Sequence, residues 1–188
     1  ALFTTSLSAG ERLIGASKID ITPSVPVYLS GYSDRKEPYV GVDEPIWART
    51  MVMKDGSGLW TVWTTVELLG VSPAMRDAVL KEVEPLGVTS ARFALCATHT
   101  HTAPQLTDVA RNILAPRLQG AEADRRDEYT KLVPQKVAES IKAAMKSARP
   151  GMLELGWTEA HFAANRRVMK DGKCVAMGPF ADGPTDPK

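Results

Sequence analysis

The stretch that most limits what this chain can fold into runs from Ala91 to Pro104, ARFALCATHTHTAP. Its first seven residues set Phe93 and Leu95 among Ala91, Ala94, Cys96 and Ala97, a short apolar run that predicts a strand covered on both faces. Two of the three histidines in the chain, His99 and His101, follow at once. Ligand sites in α/β folds gather where such strands end. Residues two apart on an extended segment point the same way, so both imidazoles are expected to face one cleft. Neutral imidazole is a common zinc ligand, and the hydroxyls of Thr98, Thr100 and Thr102 are suited to hydrogen-bond around it. On the residues alone two readings stand: a metal site, or two loop histidines bonded to backbone carbonyls.

Arg12 to Ile21 alternates as a strand that Thr22-Pro23 ends, with Asp20 expected to accept backbone N–H bonds at that turn. Ser24 to Pro45 reads as a long ordered loop, in which Gly31 serves for its backbone freedom and Tyr32 packs the loop or lines the site. Ile46 to Lys54 and Leu59 to Glu67 should pair as a hairpin around Asp55-Gly56-Ser57-Gly58, with Trp47, Trp60 and Trp63 in the core or on a sheet face. Glu67 is either a solvated strand-end charge or a carboxylate that orients an imidazole.

Ser72-Pro73 predicts a helix start, and Met75, Val79, Val83 and Leu86 give it an apolar stripe. Strand, helix and the strand into the histidines then form an α/β unit. Gln105 to Arg126, with Leu106, Val109, Ile113, Leu114 and Leu118, is expected as a wall over the site or as a surface insertion. Asp127 to Ala148 predicts the longest helix, with Tyr129, Leu132, Val133, Val137, Ile141, Ala144 and Met145 on one face and Pro134 as a kink or the true start. Met152 to Glu159 and His161 to Met169 read as strands, and Asp171-Gly172 turns into a last one at Lys173 to Met177. The fold class expected is α/β: a mixed sheet with flanking helices, as an incomplete domain.

Composition narrows the function classes. The net charge of +1 comes from 23 basic and 22 acidic residues spread along the chain, so no block points to nucleic acid or an anionic membrane. No apolar run approaches the roughly 18 to 20 residues that cross a bilayer. Ala1 to Gly10 lacks the basic start and apolar middle of an intact signal peptide, and the chain begins without methionine. It is expected to be a processed product or a piece of a longer reading frame. Cys96 and Cys174 are expected as reduced thiols, Cys96 as a small core residue, although one bridge is allowed. Nothing here sets the oligomeric state.

THTHTAP at Thr98 to Pro104 resembles the THTHSGP signature of the neutral and alkaline ceramidase family, zinc amidases that cut the N-acyl bond of ceramide. Similarity extends to Gly15 to Pro23, Ser30-Gly31-Tyr32, Ala48-Arg49-Thr50 and Asn165-Arg166-Arg167, in the family's order. The resemblance implies that residues 1–188 are the N-terminal portion of such a catalytic domain. It implies His99 as a zinc ligand, His101 as a hydrogen-bonding group of the site, and Asn165 and Arg166 as the motif whose arginine steadies the substrate carbonyl. A lipid-like amide substrate and export from the cell are implied by the resemblance only. The family's later zinc ligands (a histidine, a glutamate and a tyrosine) and its serine nucleophile are expected beyond Lys188. His161 has no motif partner and reads as a surface residue. Gln105 and Leu106 depart from the family, which carries two glycines after the proline. Two rivals remain: a metal-dependent hydrolase of amidohydrolase or β-lactamase type, and a non-catalytic α/β binding module with structural histidines.

Overall fold

A computed structural model describes residues 5–6, 12–32, 34–110, 115–161 and 164–180. The expectations placed on Ile113 and Leu114 lie outside the described residues. In chain order the elements are β1 (Thr5–Ser6), β2 (Arg12–Asp20), β3 (Trp47–Lys54), β4 (Trp60–Val66), α1 (Pro73–Val83), β5 (Val88–Ala97), α2 (Gly120–Lys146), β6 (Arg149–Gly151), β7 (Glu154–Leu155), β8 (Asn165–Lys170) and β9 (Lys173–Phe180). They divide into two compact units, one of Ala9–Met152 and one of Ala1–Ser8 with Leu153–Lys188.

The larger unit is built on a five-stranded mixed sheet in the order β5-β4-β3-β2-β6. Only β4 and β5 run parallel; the other pairs are antiparallel. Val52, Val62, Val66 and Phe93 point from the sheet into one core with Val79 and Val83 of α1 and Val133, Val137 and Ile141 of α2. The mixed α/β class read from the sequence is the one observed. Helices cover one face of β5 and not both: Cys96, expected in the core, is exposed on the other face, and β5 is the edge of the sheet. Trp63 shares that open face and is 39% exposed.

Local chemistry explains the element ends. The Ser72 hydroxyl accepts the Met75 N–H at 3.0 Å and caps α1. Gly87, at φ 89°, closes the 3-10 turn Glu84–Leu86 that follows α1, and this turn leaves Leu86 exposed instead of extending the stripe. Helix α2 begins seven residues before the expected Asp127, because its first two turns are polar and carry no apolar period. It runs on through Pro134. Burial of Tyr129, Val133 and Val137 against the sheet outweighs the roughly 3 kcal/mol that a mid-helix proline costs. Leu132, read as a core position, is exposed. Where helix meets sheet, a run of hydroxyls satisfies itself inside the core: Ser17 bonds Ser140 at 2.7 Å, Ser140 bonds Thr50 at 2.9 Å, and Thr50 bonds Thr64 at 2.9 Å.

Asp55 shapes the turn between β3 and β4. Its carboxylate accepts the Ser57 and Leu59 N–H groups at 2.9 and 3.2 Å, and it pairs with Arg92 at 2.5 Å. The bonds from Ser57 and Arg92 hold this carboxyl well below the usual carboxylate range. A depressed folded-state pKa gives stability that is present above the unfolded value of about 3.9 and is lost as pH falls through the folded value. Asp55→Asn is therefore expected to lower the urea midpoint at pH 7 and to narrow its gap to the parent as pH drops below about 3.9. Equal midpoints at pH 7 would rule this out.

The smaller unit holds two short sheets. β1 pairs with β7, and β8 pairs with β9 around Asp171-Gly172, both at positive φ as the turn requires. The strand expected over Met152 to Glu159 is reduced to β7, with Met152, Leu155 and Trp157 exposed.

Candidate active site

Parallel pairing brings the ends of β4 and β5 to the same side of the sheet. The Thr98 N–H donates to the Val66 carbonyl at 3.0 Å, so the loops Glu67–Gly70 and Thr98–Pro104 leave side by side. His99 then turns into the left-handed region at φ 61°, uncommon for a residue with a side chain. That turn, rather than strand alternation, sets the two imidazoles against each other, with ring centroids 5.1 Å apart and planes at 81°.

His99 Nδ1 lies 2.7 Å from the carbonyl of Leu69. A carbonyl only accepts, so Nδ1 donates and the neutral ring keeps its lone pair on Nε2. His101 Nε2 is 3.5 Å from that nitrogen. Two nitrogens bound tetrahedrally at about 2.0 to 2.1 Å stand roughly 3.3 Å apart, so the pair fits one or two of a zinc ion's four positions. Among the described residues no group of three His, Cys, Asp or Glu side chains could hold a metal. The partner that orients His99 is thus a main-chain carbonyl, as in the reading of loop histidines bonded to backbone carbonyls, and not a threonine hydroxyl or Glu67. Thr100 and Thr102 bond each other at 2.9 Å, and Glu67 accepts the Trp47 N–H at 3.0 Å while pairing with Arg49.

A second loop is zipped onto the first. Gln105 N–H donates to the Tyr28 carbonyl at 2.8 Å and Ser30 N–H to the Ala103 carbonyl at 2.9 Å. This ladder presses Gly31 and Tyr32 on His101. Gly31, at φ 108°, has no room for a side chain: a Cβ there would sit 2.5 Å from His101 Cβ and Cγ. Tyr32 meets the His101 ring edge-on, centroids 5.1 Å apart.

On the far side of the histidine loop lies a cavity of about 670 Å³, lined among others by Thr98, Thr100, Thr102, Glu67, Tyr39 and Ile46. Asp20 does what its position suggested, accepting the Thr22 N–H at 2.7 Å. Gln105 and Leu106 are buried beneath the loop, so the start of the expected wall is part of the core. Asn165 and Arg166 stand on β8 in the smaller unit, where the Asn165 side chain accepts the Arg167 N–H at 2.8 Å and Arg166 is exposed. His161 is exposed in that unit near Glu159, at 3.7 Å. The Leu69 carbonyl and Arg35, which grips the Tyr32 loop, were not foreseen. A carbonyl leaves no mark on a sequence, and Arg35 looks like any loop cation.

The family model for neutral/alkaline non-lysosomal ceramidase, N-terminal, matches residues 12–170. The chain belongs to this family. Two solved ceramidases share its fold. One is the neutral ceramidase from Pseudomonas aeruginosa, 22% identical with a TM-score of 0.58, the match covering 77% of this chain and 23% of that one. The other is a ceramidase complexed with C2, 22% identical with a TM-score of 0.55, covering 75% and 22%. The chain therefore spans less than a quarter of the length of these ceramidases. Comparison with curated proteins gives no match.

Proposed function

We propose that residues 1–188 are the N-terminal portion of the catalytic domain of a zinc-dependent amidohydrolase, one that cleaves the N-acyl bond of ceramide or a related lipid-like amide. One observation carries this reading: in a ceramidase-family chain, His99 is locked by the Leu69 carbonyl into the tautomer that presents Nε2, the form a metal-binding imidazole needs. His99 holds the ion. His101, 3.5 Å away, hydrogen-bonds to the polar group of the substrate or water brought there. Arg166, beside Asn165 on β8, is assigned the steadying of the substrate carbonyl on the family motif alone. Zinc, when bound, contributes Lewis acidity toward the amide carbonyl.

The test is hydrolysis of an N-acyl amphiphile by the complete reading frame after chelation and after zinc is restored. Activity is expected to vanish and return. His99→Ala should lower turnover at least about 100-fold, since metal affinity and orientation are both lost, while His161→Ala stays within about twofold. Equal losses in the two variants would undo the assignment. The 188-residue chain itself is expected to bind zinc more weakly than micromolar, because one or two ligands of four leave the ion mostly hydrated. Submicromolar affinity by calorimetry would contradict it.

A further inference from the structure

The loop that follows β2 does more than cover the histidine loop. Arg35 spans it: its Nη1 donates to the Ser30 carbonyl at 2.5 Å and its guanidinium lies 5.0 Å from the centre of the Tyr32 ring. Tyr32, 54% exposed, turns its ring at 69° to His101, whose other neighbours are the backbone of Gly31 and the His99 ring at 81°. Arg35, Tyr32, His101 and His99 thus contact one another in succession, each ring set edge-on to the next.

A tyrosine left in solvent with no such contact would turn among rotamers freely. Here a cation over one ring and an imidazole beside its edge select a single orientation. We propose that Tyr32, fastened by Arg35, is a positioning residue for His101, holding the imidazole at the angle that directs its Nε2 toward the Nε2 of His99. The Tyr32 hydroxyl is not needed for this. The ring is. The value of the clamp to catalysis rests on the role given to His101 above, but the clamp itself is measurable without any reaction.

The test reads the imidazole signals of the intact chain by long-range 1H–15N correlation, beside turnover of the complete reading frame. Tyr32→Leu removes the ring and is expected to shift and broaden the His101 signals, leave those of His161 in place, and lower kcat about tenfold with KM within about twofold. Tyr32→Phe keeps the ring edge and should restore both readouts. Arg35→Met should give an intermediate shift. Unmoved His101 signals in Tyr32→Leu would overturn the proposal, as would Tyr32→Phe behaving like Tyr32→Leu. A shifted His101 with no hydrolysis in any variant, the parent included, would support the clamp and remove the amidase reading alone.

Discussion

Gly15→Ala is expected to lower the unfolding free energy of the larger unit by about 2 to 3 kcal/mol, the cost of forcing atoms into a filled core. A Cβ on Gly15 would stand 2.0 Å from the carbonyl oxygen of Ala144 and 3.0 Å from the backbone of Ala148. These obstacles are helix backbone, so no rotamer change relieves them. Helix α2 must lift away from β2, and the contacts of Val137, Ile141 and Ala144 loosen with it. The Ser147 hydroxyl, which accepts the Ala16 N–H at 3.2 Å and donates to the Ala16 carbonyl at 3.0 Å, is pulled from its place too. Urea titration measures the loss. Gly56→Ala, with nothing within 4 Å of the added carbon, is the control and should stay within about 0.5 kcal/mol. A Gly15→Ala chain as stable as the control would mean that α2 does not lie on β2 as described.

Gly31→Ala should have the largest effect on the site. Its φ of 108° is a conformation that side-chain-bearing residues rarely adopt, costing roughly 1 to 3 kcal/mol. The new methyl also enters the space of His101, with the Cα at 2.7 Å and the Cβ and Cγ at 2.5 Å. The expected result is a folded chain in which His101 is displaced by about 1 Å and turnover of the complete reading frame falls about 100-fold. Loss of turnover with unchanged His101 signals would place the damage elsewhere.

Much of the frame was legible because it follows from local pattern. The alternating run at Arg12 to Asp20, the Asp55-Gly58 turn with Val and Thr on both sides, and the Ser72-Pro73 cap each name one element by their own chemistry. The sequence put His99 and His101 together facing one cleft; the rings do meet, 5.1 Å apart, but the cavity beside the loop is lined by Thr98, Thr100 and Thr102 instead. The period of a strand aligns alternate residues, but the strand stops at Ala97 and the rings meet through a left-handed turn. What could not be read depended on contacts distant in the chain. The carbonyl of Leu69 reaches His99 across thirty positions, and the Tyr32 clamp crosses about seventy. Coverage of β5 on a single face likewise depends on where α1 and α2 settle, which periodicity alone leaves open. Helix α2 shows the opposite case, where tertiary burial carries a helix through a proline that local propensity would have used to end it.

The proposed function depends on β5 and the Leu69 carbonyl delivering His99, with a bare Nε2 lone pair, beside His101. Long-range 1H–15N spectra of the intact chain, recorded as zinc is added, test it most directly. Before zinc, the neutral His99 ring is expected to carry its proton on Nδ1, and titration to shift His99 Nε2 while leaving His161 unaffected. A His99 protonated at Nε2, or zinc that perturbs His161 as strongly as His99, would contradict it.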